Sequence, residues 1–481
     1  MPRGVARLLT ILTLAGALWA AEPIRLHPDN PHYFLFRGKP TVLVTSAEHY
    51  GAVLNADFDY AAYLKELEAR HLNNTRVFAG AYREIPGNFS IGNNTLAPQP
   101  ARFVSPWPRS STPGAADGGA KFDLSRWNDE YFVRLKAFMS EAAKRGVVVE
   151  LNLFCPYYED SMWSVSPLNA RNNINDTGDA PRTEALTLKH PDLVAAEDAM
   201  VRKIAEELRE FDNLYYEICN EAWTGGVTLE WQRHMAQTIA QAEASLPGKH
   251  LISQNILVRS PRLDAPGDPV SIFNLHYSRP PAVVNGTPRP NLAIGNNETG
   301  FDGSADSTYR IQGWDFLMAG GALYNNLDYS FTVSHEDGTF AYDASTPGGG
   351  SRALRTQLGF LHRFFDEMPF LRMQPDATVI HGGVPEGASA RALSEPGKVY
   401  AVYLHHGRVD SKAKPRYVVD GQRREATLTL DLPKGSYRVA WLNPKTGVVD
   451  RSARLSHPGG EARLRSPEYS EDIALRVAAG R

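Results

Sequence analysis

An α/β fold, a (β/α)8 TIM barrel with a C-terminal antiparallel β-sandwich, is what the sequence predicts, on three observations. Between residues 41 and 367, eight short apolar runs alternate with amphipathic helical stretches. The turn after the first run reads Ala47-Glu48-His49-Tyr50, without the glycines that a dinucleotide-binding sheet carries there. Beyond about residue 372 the helical period stops, and short alternating stretches separated by Gly/Pro turns take over.

The first residues form a separate object. Arg3 and Arg7 precede an uncharged apolar run at 8–20 that ends in small residues, the pattern of a secretory signal cleaved after Ala20 or Ala21. The run is too short to span a bilayer. No other segment reaches membrane-spanning length, so the mature protein is expected to be exported, secreted or periplasmic, without a membrane span. The expected division is a signal at 1–20, a barrel with its lead-in hairpin at 21–372, and a sandwich at 373–481.

The barrel elements follow in order. Alternation at His32, Phe34 and Phe36, with Gly38-Lys39-Pro40 as turn, predicts a hairpin feeding a strand at 41–45. A helix at 58–70 stripes Tyr60, Tyr63, Leu64 and Leu67, with Asp57 as N-cap. The second strand is 72–78. A helix at 127–145 stripes Tyr131, Leu135, Phe138 and Ala142, and Gly146 suits a left-handed C-cap. Strands at 147–154 and 214–219 flank a helix at 191–211. A helix at 228–245 leads to strands at 251–255, 271–277 and 291–297. Helices at 306–319 and 352–367 then bracket the eighth strand at 322–328. Parallel strands buried on both faces read as apolar runs, as most of these do.

Two connections, 79–126 and 155–190, are much longer than usual. Both follow strands, which places them on the face where barrel active sites lie. Their aromatics Trp107, Tyr157, Tyr158 and Trp163 suggest a folded substrate-binding rim. In the C-terminal part, strands are expected at 377–381, 388–393, 399–405, 426–430, 437–443, 462–465 and 473–477.

Composition narrows the functions. With 51 basic and 54 acidic side chains in 481 residues the net charge is −3, which leaves no basic excess for nucleic acid. Removing two signal arginines gives 49 − 54 = −5. Cys155 and Cys219 each follow a strand; export permits a disulfide, but two buried free thiols are the expectation. No Cys or His pair stands at metal-ligand spacing, and serine-hydrolase and metalloprotease motifs are absent, so neither metal nor cofactor is expected.

The chemistry concentrates at two strand tips. The fourth strand runs into Asn220 and Glu221, and the seventh into Asn296, Asn297 and Glu298. Cleaving a glycosidic bond needs two such carboxyl groups, one protonated toward the leaving oxygen and one ionised toward the anomeric carbon. Their environments must hold the two pKa values apart. Arg76 ends the second strand, where it faces Glu298 or pairs with Glu217. His49 and Tyr50 follow the first strand, and His276 and Tyr277 end the sixth. Trp223, Trp314 and Tyr329 read as packing rather than stacking platforms.

These residues resemble the retaining glycoside hydrolases of clan A, the family 5 cellulase-like barrels. The resemblance implies Glu221 as acid/base, Glu298 as nucleophile, Arg76 steadying that nucleophile, His276 and Tyr277 positioning, and Asn220 on the sugar 2-hydroxyl. A closer similarity joins the opening hairpin, Lys121-Phe-Asp-Leu-Ser-Arg-Trp-Asn and Gly435-Ser-Tyr-Arg-Val-Ala-Trp-Leu-Asn-Pro-Lys-Thr-Gly to exported bacterial proteins that include apiosidase-like enzymes. Their C-terminal β-domain is called collagen-binding. Two departures stand out. The eighth strand reads Leu323-Tyr-Asn-Asn-Leu-Asp-Tyr where the family places a Trp platform, and His276-Tyr277 lacks the spacer of His-x-Tyr.

The expected function is therefore a retaining glycosidase acting on a carbohydrate, with His49, Tyr50, Arg76, Asn220, His276 and Tyr277 as substrate-binding residues. The competing reading is a non-catalytic carbohydrate-binding or adhesion protein working through the sandwich. That domain has Trp441 as its one tryptophan, which favours a brace for the barrel. No protease residues support a collagenase.

Overall fold

The computed structural model describes residues 22–257, 268–281, 284, 291–343 and 345–480. The predicted signal at 1–20 lies outside them. Among the described residues no helix is long and apolar enough to cross a membrane.

Eight parallel strands form one sheet: Leu43–Ala47, Asn74–Phe78, Val148–Phe154, Leu214–Cys219, Leu251–Ile256, Ile272–His276, Ala293–Thr299 and Leu323–Leu327. From the second to the eighth each pairs with the next in chain order, and the first pairs with the eighth. The first and second strands meet through Asn73. Its backbone N–H donates to Val44 O at 3.2 Å, and its side chain accepts from Val44 N at 2.8 Å. One asparagine thus closes the sheet where the ladder is interrupted, and the barrel predicted from alternation is present.

Local signals account for the helices around it. Tyr60–Ala69 is capped by Asp59, whose carboxylate accepts from Ala61 and Ala62 N–H, rather than by Asp57. Asp57 instead takes Arg102 Nε at 2.5 Å. Asn128 caps Asp129–Lys144, and Gly146 follows in the left-handed region at φ 69°. Asp306–Met318 is buried from Thr308 to Met318 on every side. It has the barrel on one face and the C-terminal domain on the other.

That domain is an antiparallel sandwich. Its larger sheet runs Gln374–Pro375, Ser389–Glu395, Val399–His405, Asp472–Ala479, Gly435–Leu442, Val449–His457 in spatial order. Its smaller sheet is Ile380–Gly382, Thr427–Leu432 and Gly460–Arg465. Alternation divides Val399–His405 between two cores: Tyr400, Val402 and Leu404 face the sandwich, while Ala401 and Tyr403 join the barrel core. Trp314 stacks on Tyr403 at 5.2 Å, and Arg310 pairs with buried Asp472. Trp441 is buried in the sandwich core. Two expectations need correction. Residues 377–379 form a 3-10 turn, and Val449–His457 is a strand the alternation missed, because as an edge strand it is exposed over most of its length.

Candidate active site

The barrel interior beneath the strand tips is ionic. Arg76, Glu150 and Glu217 sit on the second, third and fourth strands with essentially no exposure, and the arginine bridges them. Arg76 Nε donates to Glu150 at 2.6 Å, Nη2 donates to Glu217, and Nη1 donates to Glu298 Oε2 at 3.1 Å. Both pairings considered for Arg76 coexist. Asn274 and Asn297 add donors to Glu217 at 2.7 and 2.9 Å. Burial and the Glu217 charge push the Glu150 carboxyl up to about 8, against the pull of Arg76.

Above this layer the two predicted carboxylates converge. Oxygens of Glu221 and Glu298 and a ring nitrogen of His276 all lie within 4.8 Å of one another. Glu298 is held by three donors: Arg76, Tyr50 Oη at 3.1 Å and Tyr277 Oη at 2.7 Å. Glu221 is held differently. Tyr158 Oη donates to it at 2.8 Å, and His276 Nδ1 lies 3.1 Å from its other oxygen and 3.8 Å from Glu298. The Glu221 backbone N–H donates to Asn255 at 2.8 Å.

The electrostatics follow from these contacts. Burial pushes Glu221 upward, but the hydrogen bond and charge of His276, with the Tyr158 hydroxyl and Arg76, bring it below the usual carboxylate range. Burial pulls His276 down, and the charges of Glu298 and Glu221 overcome it, so the imidazole stays protonated above its ordinary value.

A pocket with about 390 Å³ of empty space opens over the carboxylates. Of the predicted site residues, His49, Tyr50, Asn220, Glu221, Tyr277 and Glu298 line it. The side chains of Arg76 and His276 have no exposure and stand behind the carboxylates. Asn220 is engaged at both ends of its amide: Oδ1 accepts from Arg76 at 2.8 Å and Nδ2 donates to Tyr158 at 2.9 Å. His49 Nε2 meets Glu84 at 3.1 Å, and its buried Nδ1 has no hydrogen-bond partner. The turn that presents His49 and Tyr50 is tied by Glu48, which accepts from Gly51 and Ala52 N–H. Among the described residues, five of the twelve non-glycine residues with positive φ line this pocket: Tyr50, Phe89, Glu221, Tyr277 and Phe301. Strained backbone concentrates where side chains must be aimed.

The long loops contribute otherwise than predicted. Trp107, Tyr157 and Trp163 are buried within them, and only Tyr158 of the four expected rim aromatics reaches the pocket. Glu84 and Phe89 from the first long loop, and Phe301 after the seventh strand, also line it and were missed. Being in irregular segments, they carry no periodicity. Leu327 lines the pocket from the tip of the eighth strand. Cys155 and Cys219 are buried free thiols.

No family model and no curated protein sequence matches this chain. Solved structures do. A putative glycoside hydrolase from Bacteroides vulgatus ATCC 8482 superposes at TM-score 0.64 with 14% identity, covering 95% of this chain and 82% of that one. A glycoside hydrolase family 5 structure from the same organism gives 0.59 at 14% identity, over 95% and 93%. A further glycoside hydrolase gives 0.60 at 13%, over 96% and 97%. The chain has the fold of these glycoside hydrolases. The shared architecture spans barrel and C-terminal domain together.

Proposed function

We propose that the protein is an exported retaining glycoside hydrolase with Glu298 as nucleophile and Glu221 as acid/base. The observation that carries this reading is the approach of the two carboxylates to within 4.8 Å. Retention by double displacement uses carboxyl groups about 5–5.5 Å apart, whereas inversion leaves about 6.5–9.5 Å for a water. The glycoside hydrolase fold supports the same class, and the run at 8–20 supports export.

The two carboxylates are held for different tasks. Three donors hold Glu298 oriented toward the anomeric carbon. Glu221 receives a proton from His276 across 3.1 Å and passes it to the leaving oxygen. As Glu298 bonds to the sugar it loses its charge, and with it the largest electrostatic support for the imidazolium. Glu221 then accepts a proton from the water that releases the sugar. Arg76 and His276 act as positioning residues, and His49, Glu84 and Asn220 present polar groups to the sugar in the pocket.

Proton NMR of the first-formed product tests the reading: retained anomeric configuration is expected, and inversion would sink it. Glu298→Ala is expected to abolish turnover. Glu221→Ala is expected to regain activity with azide on an activated substrate.

A further inference from the structure

Phe89 and Phe301 are the two exposed members of the pocket lining, at 38% and 42% exposure. Both hold left-handed backbone, at φ 54° and 61°, a conformation that a bulky residue keeps only where its surroundings enforce it. Each meets edge-on the tyrosine that donates to one of the carboxylates. Phe89 packs on Tyr158 at 5.3 Å and 87°, and Phe301 packs on Tyr277 at 5.6 Å and 89°. An edge-on contact leaves ring surface free, and exposed aromatic surface at a pocket mouth marks ligand contact.

The anomeric carbon of the reacting sugar must lie against Glu298, on the side of the pocket lined by His49, Tyr50 and Glu84. Whatever is joined to that sugar emerges at the mouth, past Phe89 and Phe301. We propose that these two phenylalanines form the leaving-group subsite, receiving the ring attached to the glycosidic oxygen. The inference rests on the glycosidase reading and names its substrate class: glycosides with an apolar-faced ring as aglycone.

Matched 4-nitrophenyl glycosides and glycosyl fluorides of neutral sugars test it, because fluoride offers no ring to stack. The variants Phe89→Gly and Phe301→Gly release the left-handed backbone, so the melting temperature is expected to hold or rise. In each, the ratio of kcat/KM for the nitrophenyl glycoside to that for the fluoride is expected to fall about tenfold or more. An unchanged ratio overturns the assignment, whether activity is kept or lost on both probes. So does a lowered melting temperature without a change in ratio, which is the mark of mere packing. A wild-type chain that turns over neither probe overturns the glycosidase reading, and this inference with it.

Discussion

His276 places Nδ1 3.1 Å from a Glu221 oxygen while its side chain has no contact with solvent. A histidine so placed cannot bind substrate directly; in the proposed mechanism it acts through Glu221.

The pH dependence follows. The raised His276 contributes stability that is complete below its ordinary value of about 6.5 and is lost as pH rises through the folded-state pKa. The lowered Glu221 contributes stability present above about 4.5 and lost as pH falls through its folded value. The basic limb of kcat/KM is therefore expected above pH 6.5 and belongs to the pair. His276→Asn is expected to move that limb to lower pH, since a lone carboxyl then carries the proton. An unmoved limb in the pH–rate profile would remove His276 from the proton path.

Tyr277 and Tyr50 donate to opposite oxygens of Glu298. Removing one such donor by Tyr277→Phe is expected to cost about 10²-fold in kcat, with a smaller change in KM. Steady-state kinetics on an aryl glycoside separate the two parameters.

Arg76 pairs with Glu150, Glu217 and Glu298 together. Arg76→Met leaves buried carboxylates without their partner and is expected to destabilise the fold by about 3–5 kcal/mol. Urea unfolding measures it. The triple variant with Glu150→Gln and Glu217→Gln should recover part of the loss.

Glu48 and Glu150 are pushed up to about 7 and about 8, chiefly by burial. Raised carboxyls give stability that is complete below about 4.5 and lost as pH climbs through the folded values. Urea midpoints are expected to fall between pH 5.5 and 8.5, and Glu150→Gln should flatten that slope.

The C-terminal sheet covers Trp314 and the arginine of the Arg310–Asp472 pair. Deleting 377–480 uncovers the helix Asp306–Met318, which is buried on all sides. Insoluble or unfolded barrel is the expected outcome, read by circular dichroism and size exclusion; a folded fragment with intact turnover would show that the sheet is dispensable.

Much of the architecture was legible because the signals are local. Burial on both faces makes a strand such as Val148–Phe154 apolar throughout, and the polar residues that follow such runs mark their tips. That is why Asn220, Glu221 and Glu298 stood out. Val449–His457 escaped because an exposed edge strand needs no apolar alternation. Asp59 rather than Asp57 caps its helix because the cap depends on backbone dihedrals, which two nearby aspartates do not distinguish in sequence.

The sequence by itself determined the alternation of strands and helices, the sandwich that follows them, and the two glutamates at strand tips. Only the tertiary structure decided what surrounds those glutamates. The long-loop residues Tyr158, Glu84 and Phe89 reach the pocket by irregular paths, and no period encodes where such a path ends. It also decided that His276 and Arg76 lie behind the carboxylates rather than in the pocket. Strand parity selects the face of a sheet, but depth within a barrel is set by the neighbouring strands' register and by which buried charges need a partner.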